Sequence, residues 1–158
     1  MLKKIIIYVL CLAPWFISTL IPLDYNYLYE IKTPFFTPPK LFYPIAWTII
    51  YILISITIYN VITTYSIVTS YKFKEIPKSY KITLLINYLF NQSYTLVFFG
   101  LKNQFLGFIS CLGTLLSTMF LYEETALLEH KKKYLLIPYI FLSLFATILS
   151  VTIFLMNI

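Results

Sequence analysis

Charge is what this sequence has least of. Only 11% of its 158 residues are charged and 60% are hydrophobic, where an ordinary soluble domain carries about one-quarter charged residues. So few charges could not coat a water-soluble globule of this size. Arginine is missing altogether, since all twelve basic residues are lysine. The net charge of +6 therefore comes without the forked guanidinium that suits phosphate and guanine, and no nucleic-acid partner is expected. Cys11 and Cys111, the two cysteines, sit inside apolar runs without CxxC spacing. That gives no support to a disulfide framework or a zinc site, and no metal is expected. The six acids, Asp24, Glu30, Glu75, Glu123, Glu124 and Glu129, fall between the apolar runs, as does the single histidine, His130. No carboxylate pair or Ser-His-Asp set can then be assembled inside the fold. Nor does any ionisable residue stand at membrane depth, where an ion-coupled transporter usually has one.

What remains is apolar length. Uncharged runs cover 5–23, 41–71, 82–101, 103–122 and 134–158, each near the roughly 20 residues that a membrane-spanning helix needs. None alternates polar and apolar residues as a barrel strand would, and backbone in lipid must satisfy its own hydrogen bonds. The expectation is an all-α protein, a single transmembrane domain over 1–158 with five helices at about 5–22, 41–66, 82–101, 105–122 and 134–156. The basic start and apolar run at the N-terminus could also be a signal peptide, but Ala13-Pro14 makes a poor cleavage site, so a retained first helix is expected. Pro22-Leu23-Asp24 should end that helix, and the aromatic, proline-rich connection Asp24–Lys40 suits a membrane interface. Lys102-Asn103-Gln104 is so short that the third and fourth helices should be antiparallel neighbours. With five crossings, nine of the twelve lysines lie on the N-terminal side, which puts that end in the cytoplasm of a bacterial cell membrane.

Polar residues inside such runs usually face the bundle interior. Asn87, Asn91 and Tyr94, at i, i+4 and i+7, share one helical face, with Gln92 about a quarter turn away. Two amides one turn apart demand several partners, which a polar ligand group could supply. Trp47 and Tyr51 could cover the flat faces of that ligand. Ser143, Thr147 and Ser150 share a face of the fifth helix. Gly107, Ser110, Thr114 and Ser117 form a small-residue stripe that reads chiefly as helix-packing surface.

Three segments together resemble the TspO / translocator protein (tryptophan-rich sensory protein) family. Phe36-Thr37-Pro38-Pro39 followed by Pro44-Ile45-Ala46-Trp47-Thr48-Ile49-Ile50-Tyr51 is similar to its W-x-P-P loop and the P-x-x-W-T-x-x-Y helix. Leu85–Gln92 followed by Phe98–Asn103 is similar to its third helix and short turn. Pro138-Tyr139, Phe145–Leu149 and Asn157 are similar to its fifth helix. The resemblance implies five packed helices, commonly a homodimer, around a pocket closed by the first loop. The implied ligands are porphyrin or haem-type tetrapyrroles, with benzodiazepine-site ligands possible, and no cofactor is required. By position, Trp47, Tyr51, Asn87, Asn91, Tyr94, Cys111, Leu142 and Ala146 would line that pocket, and Phe36, Pro38 and Pro39 would form its lid.

The chain departs from the family pattern in its tryptophans. Phe36 stands at the loop tryptophan, the fifth-helix tryptophan position falls on Leu142, and only Trp15 and Trp47 are present. Some bacterial members break down protoporphyrin in light through pocket tryptophans, and here only Trp47 would remain for that role. The fifth helix also lacks the Tyr-then-Lys/Arg spacing of the proposed sterol motif. The expected function is binding of tetrapyrroles for sensing, sequestration or transport. The alternatives are light-dependent porphyrin degradation and a structural or partner-binding membrane protein.

Overall fold

The computed structural model describes residues 2–21, 24, 26–67, 75–129 and 131–158, and these form helices and connections with no strand among them. His130 and the proposed stop at Pro22-Leu23 lie outside the described residues, as do Lys72 and Lys74. The elements are α1 (Leu2–Leu12), α2 (Tyr27–Glu30), α3 (Phe42–Ile67), α4 (Lys78–Thr95), α5 (Gln104–Leu128) and α6 (Ile137–Met156). A 3-10 segment, Ala13–Leu20, continues α1, a π turn, Leu96–Gly100, continues α4, and a 3-10 turn, Lys133–Leu136, leads into α6.

Proline explains the first change of helix type. Pro14 has no N–H, so neither the α pattern nor the 3-10 pattern can run unbroken past it. In 3-10 geometry the Cys11 carbonyl would bond to residue 14, and that donor is missing. Ser55 of α3 supplies a substitute. Its Oγ lies 3.2 Å from the Cys11 carbonyl and 2.6 Å from that of Tyr51, so one proton serves both.

Among the described residues, four segments are long and apolar enough to cross a membrane: Leu2–Leu20, Phe42–Tyr65, Gln104–Leu128 and Lys133–Met156. Five were expected. The expected helix over 82–101 is present as α4 and its π turn, beginning four residues earlier at Lys78, but it is too polar to be counted with the others. Lys78 and Lys81 open it, and Asn87, Asn91 and Gln92 are buried along it. α4 packs along α5, which packs in turn on α6. Burial of α5's Gly107, Ser110, Thr114 and Ser117 shows what the stripe does. A Cβ on Gly107 would lie 2.6 Å from Phe98 Cδ2, and Ser110 Oγ is 3.1 Å from Ser93 Oγ.

The α4–α5 turn is sharp because Lys102 adopts a left-handed conformation, φ 49°, which few non-glycine residues take. Asn103 then starts α5, its Oδ1 accepting from the Leu106 amide at 2.9 Å, the usual N-cap bond. The expected lid connection is tied at two places. Lys102 Nζ bonds Glu30 Oε2 at 3.1 Å and Asp24 Oδ2 at 3.4 Å. Asn157, at the end of α6, receives a bond from the Lys32 amide and donates one to the Lys32 carbonyl, both 2.9 Å.

Candidate functional site

A cavity of about 560 Å³ lies between the 3-10 segment, α3, α4, α5 and α6, bordered at the lid end by Leu28 and Lys40. Its walls are mostly aromatic and aliphatic: Phe16, Tyr43, Trp47, Tyr51, Tyr94 and Phe99, with Pro44, Cys111, Ala146, Leu149 and Ile153. Asn91, Thr114 and Ser143 add polar atoms, and no acid is among the lining residues. The size falls within the roughly 300–1,000 Å³ of small-molecule sites, and an apolar wall with a few polar groups is their usual make-up.

Of the residues expected at the site, Trp47, Tyr51, Asn91, Tyr94, Cys111 and Ala146 come together on this cavity. Asn87 and Leu142 do not. Asn87 is fully buried, and its Nδ2 faces α5, 2.8 Å from Thr118 Oγ1, 3.0 Å from Ser117 Oγ and 3.3 Å from the Thr114 carbonyl. Its Oδ1 accepts from Tyr139 Oη at 3.1 Å, so the amide has no donor left for a ligand. Leu142 packs instead against the cluster around Ile54, Val61 and Tyr139. Pro38 and Pro39 border a second, smaller cavity of about 270 Å³ that shares Leu28, Lys40 and Tyr43 with the first. Phe36 lines neither cavity. It packs edge-on to Phe145, 6.5 Å between centroids.

Asn91 is held in place before any ligand arrives. Its Oδ1 accepts from Tyr51 Oη at 3.0 Å and from Gln92 Nε2 at 3.1 Å, and its Nδ2 donates to Tyr139 Oη at 3.1 Å. One Nδ2 proton remains, since an amide nitrogen carries two. Gln92, on the neighbouring face, turns to the 3-10 segment. It accepts from the Ser18 amide at 3.0 Å and donates to the Trp15 carbonyl at 3.1 Å, fixing backbone groups that the irregular helix leaves open.

Trp15, which no spacing pattern singled out, is almost wholly buried, 2% exposed. It stacks on Tyr51 (5.6 Å, 27°), which also neighbours Trp47 (5.9 Å, 35°) and, edge-on, Phe16 (5.4 Å). Tyr88 meets Trp15 edge-on at 5.4 Å, and its hydroxyl donates to the Pro14 carbonyl at 3.1 Å. The wall behind the cavity is thus a second layer of rings, rigid because each is bonded or stacked.

Comparison with known proteins places this architecture. The family model described as TspO/MBR family matches residues 5–156. The tryptophan-rich protein TspO of Bacillus cereus is 32% identical over 159 residues, covering 98% of this chain and 97% of that relative. The uncharacterized membrane protein YtaB of Bacillus subtilis is 34% identical over 138 residues, covering 87% and 84%. The tryptophan-rich protein TspO of Archaeoglobus fulgidus is 28% identical over 131 residues, covering 80% and 77%.

Proposed function

The chain belongs to the TspO/MBR family, an integral membrane protein, and on that premise we propose that it binds porphyrin- or haem-type tetrapyrroles in the 560 Å³ cavity. The observation that carries the reading is the pairing of Trp47 and Tyr51 on the cavity wall with an immobilised amide beside them. A flat, largely apolar ring is complementary to aromatic faces. The spare Nδ2 proton of Asn91 offers one directed contact to its periphery. Asn87 has no such role, because its protons are engaged on α5.

We also propose five crossings, with α4 as the fifth. The 18 residues of α4 rise about 27 Å at ~1.5 Å each, close to the roughly 30 Å of hydrocarbon. Its first turn meets the far end of α5 through Ser79 Oγ and Glu124 Oε2, 3.1 Å apart, while its last turn leads to Lys102 and the lid. Five crossings with most lysines on the N-terminal side give a cytoplasmic N-terminus in a bacterial cell membrane. Pairing into a homodimer belongs to the same proposal.

The test is quenching of tryptophan fluorescence by protoporphyrin IX in purified protein, kept in the dark, with Trp47→Phe followed by ligand absorbance. Saturable quenching with an intact porphyrin spectrum is expected, and the absence of saturation would remove the ligand assignment. A second reading, light-dependent degradation, has one observation in its favour. Trp15, Tyr51 and Trp47 form a continuous run of oxidisable rings ending at the cavity. Illumination that bleaches bound pigment no faster than free pigment would exclude it.

A further inference from the structure

We propose that the lid end of the cavity reads a carboxylate: Lys40 and Tyr43 together take the anionic end group of a ligand whose flat apolar body lies against Trp47 and Tyr51. This deepens the tetrapyrrole reading and rests on it for the apolar half of the ligand.

Among the described residues, Lys40 is the one charged residue lining the main cavity, and it lines the smaller cavity as well. Its Nζ lies 3.3 Å from the neutral Asn26 Oδ1 and 3.6 Å from the centroid of the Tyr29 ring. Among the described residues no carboxylate comes within ion-pair distance of it. The two acids of the lid, Asp24 and Glu30, both bond Lys102, and neither forms an ion pair with Lys40. The ammonium has three protons, and the Asn26 contact uses one.

Tyr43 supplies the second, independent observation. It borders the same two cavities, and its hydroxyl is buried with no hydrogen-bond partner. Buried hydroxyls are ordinarily bonded, and leaving one bare is costly. Lys40 and Tyr43 both line this acid-free cavity, and a cationic donor and a tyrosine whose hydroxyl lacks a partner share one complement, an anionic acceptor. The surrounding walls are apolar, so that acceptor must arrive attached to an apolar body. The ligand class is an amphiphile with a rigid aromatic core and a peripheral carboxylate.

The experiment compares protoporphyrin IX, which carries free carboxylates, with its dimethyl ester, against the full-length protein, Lys40→Met and Tyr43→Phe. The parent protein should bind the acid about tenfold more tightly than the ester, as for a hydrogen bond to a charged group. Lys40→Met should bring the acid down to the ester's level while leaving the ester unchanged, which also shows that the variant is folded. Tyr43→Phe should weaken the acid more than the ester. Oleate, with the same carboxylate on a flexible chain, should compete poorly. Equal binding of acid and ester by the parent protein, or an equal loss of both in Lys40→Met, would overturn the carboxylate assignment and leave tetrapyrrole binding standing. Oleate binding as tightly as the porphyrin would overturn the rigid-core assignment, and a parent protein that binds neither porphyrin would overturn both readings.

Discussion

Replacing Asn87 with alanine tests whether this amide serves the ligand or the fold. The side chain is 0% exposed and sits where α4, α5 and α6 meet. Two of its three acceptors on α5 can take a full bond, and the Tyr139 hydroxyl gives it a third interaction. Hydrogen bonds between helices in a membrane average about 0.6 kcal/mol and reach about 1.7. Three of them, with the void left by the amide, come to roughly 2–3 kcal/mol. Ser117 and Thr118 keep their own bonds to the Gly113 and Thr114 carbonyls, so their hydroxyls are not stranded. The Tyr139 hydroxyl is the group that loses its acceptor. Reversible unfolding in bicelles, followed by steric trapping, should show that loss of stability. Ligand affinity, measured where the variant is fully folded, should change by only about two- to threefold through the Tyr139–Asn91 link. A tenfold loss of affinity at unchanged stability would refute the reasoning and return Asn87 to the ligand.

The α4–α5 contact gives a second prediction: a Cβ at Gly113 would stand 2.6 Å from Cε1 and Cγ of Phe90, so Gly113→Ala should cost about 1–3 kcal/mol by overpacking. Thermal unfolding would measure this, and Phe90→Leu in the same chain should restore part of the loss. Asn157→Ala removes both bonds to Lys32, and hydrogen exchange at the Lys32 amide should quicken about five- to tenfold. At the lid, the bond from Lys102 to Glu30 raises the ammonium pKa above its ordinary 10.5, against partial desolvation, with Asp24 adding to the rise. A raised pKa means that the tether is complete below pH 10.5 and is lost as the pH climbs past the raised value. Mobility of a spin label at position 29 should therefore stay constant through neutral pH and rise only in that alkaline range.

The helices could be read from the chain because lipid leaves the backbone few choices. An uncharged run of about 20 residues must bond to itself, so α3, α5 and α6 begin within a few residues of where the runs begin. The lid connection was visible in its prolines and aromatics, and Trp47, Tyr51, Asn91 and Tyr94 in their spacing along two helices. Spacing fixes only which residues share a face of one helix, however, and not which neighbour that face meets. Asn87 and Asn91 lie one turn apart on the same face, yet α5 presents hydroxyls to the first and open space to the second. Trp15 had no periodic signal, because its position follows from the break at Pro14 and the 3-10 segment beyond it. Its partners Tyr51, Tyr88 and Gln92 lie at least 36 residues away in sequence. α4 shows the same division from the other side: its own polarity sets it apart from the four apolar spans, and only packing shows that Asn87 and Gln92 are spent on neighbouring segments while Asn91 keeps one proton toward the cavity. Composition and run length settle local structure because each helix bonds within itself, whereas the cavity exists only between helices and was decided by tertiary packing.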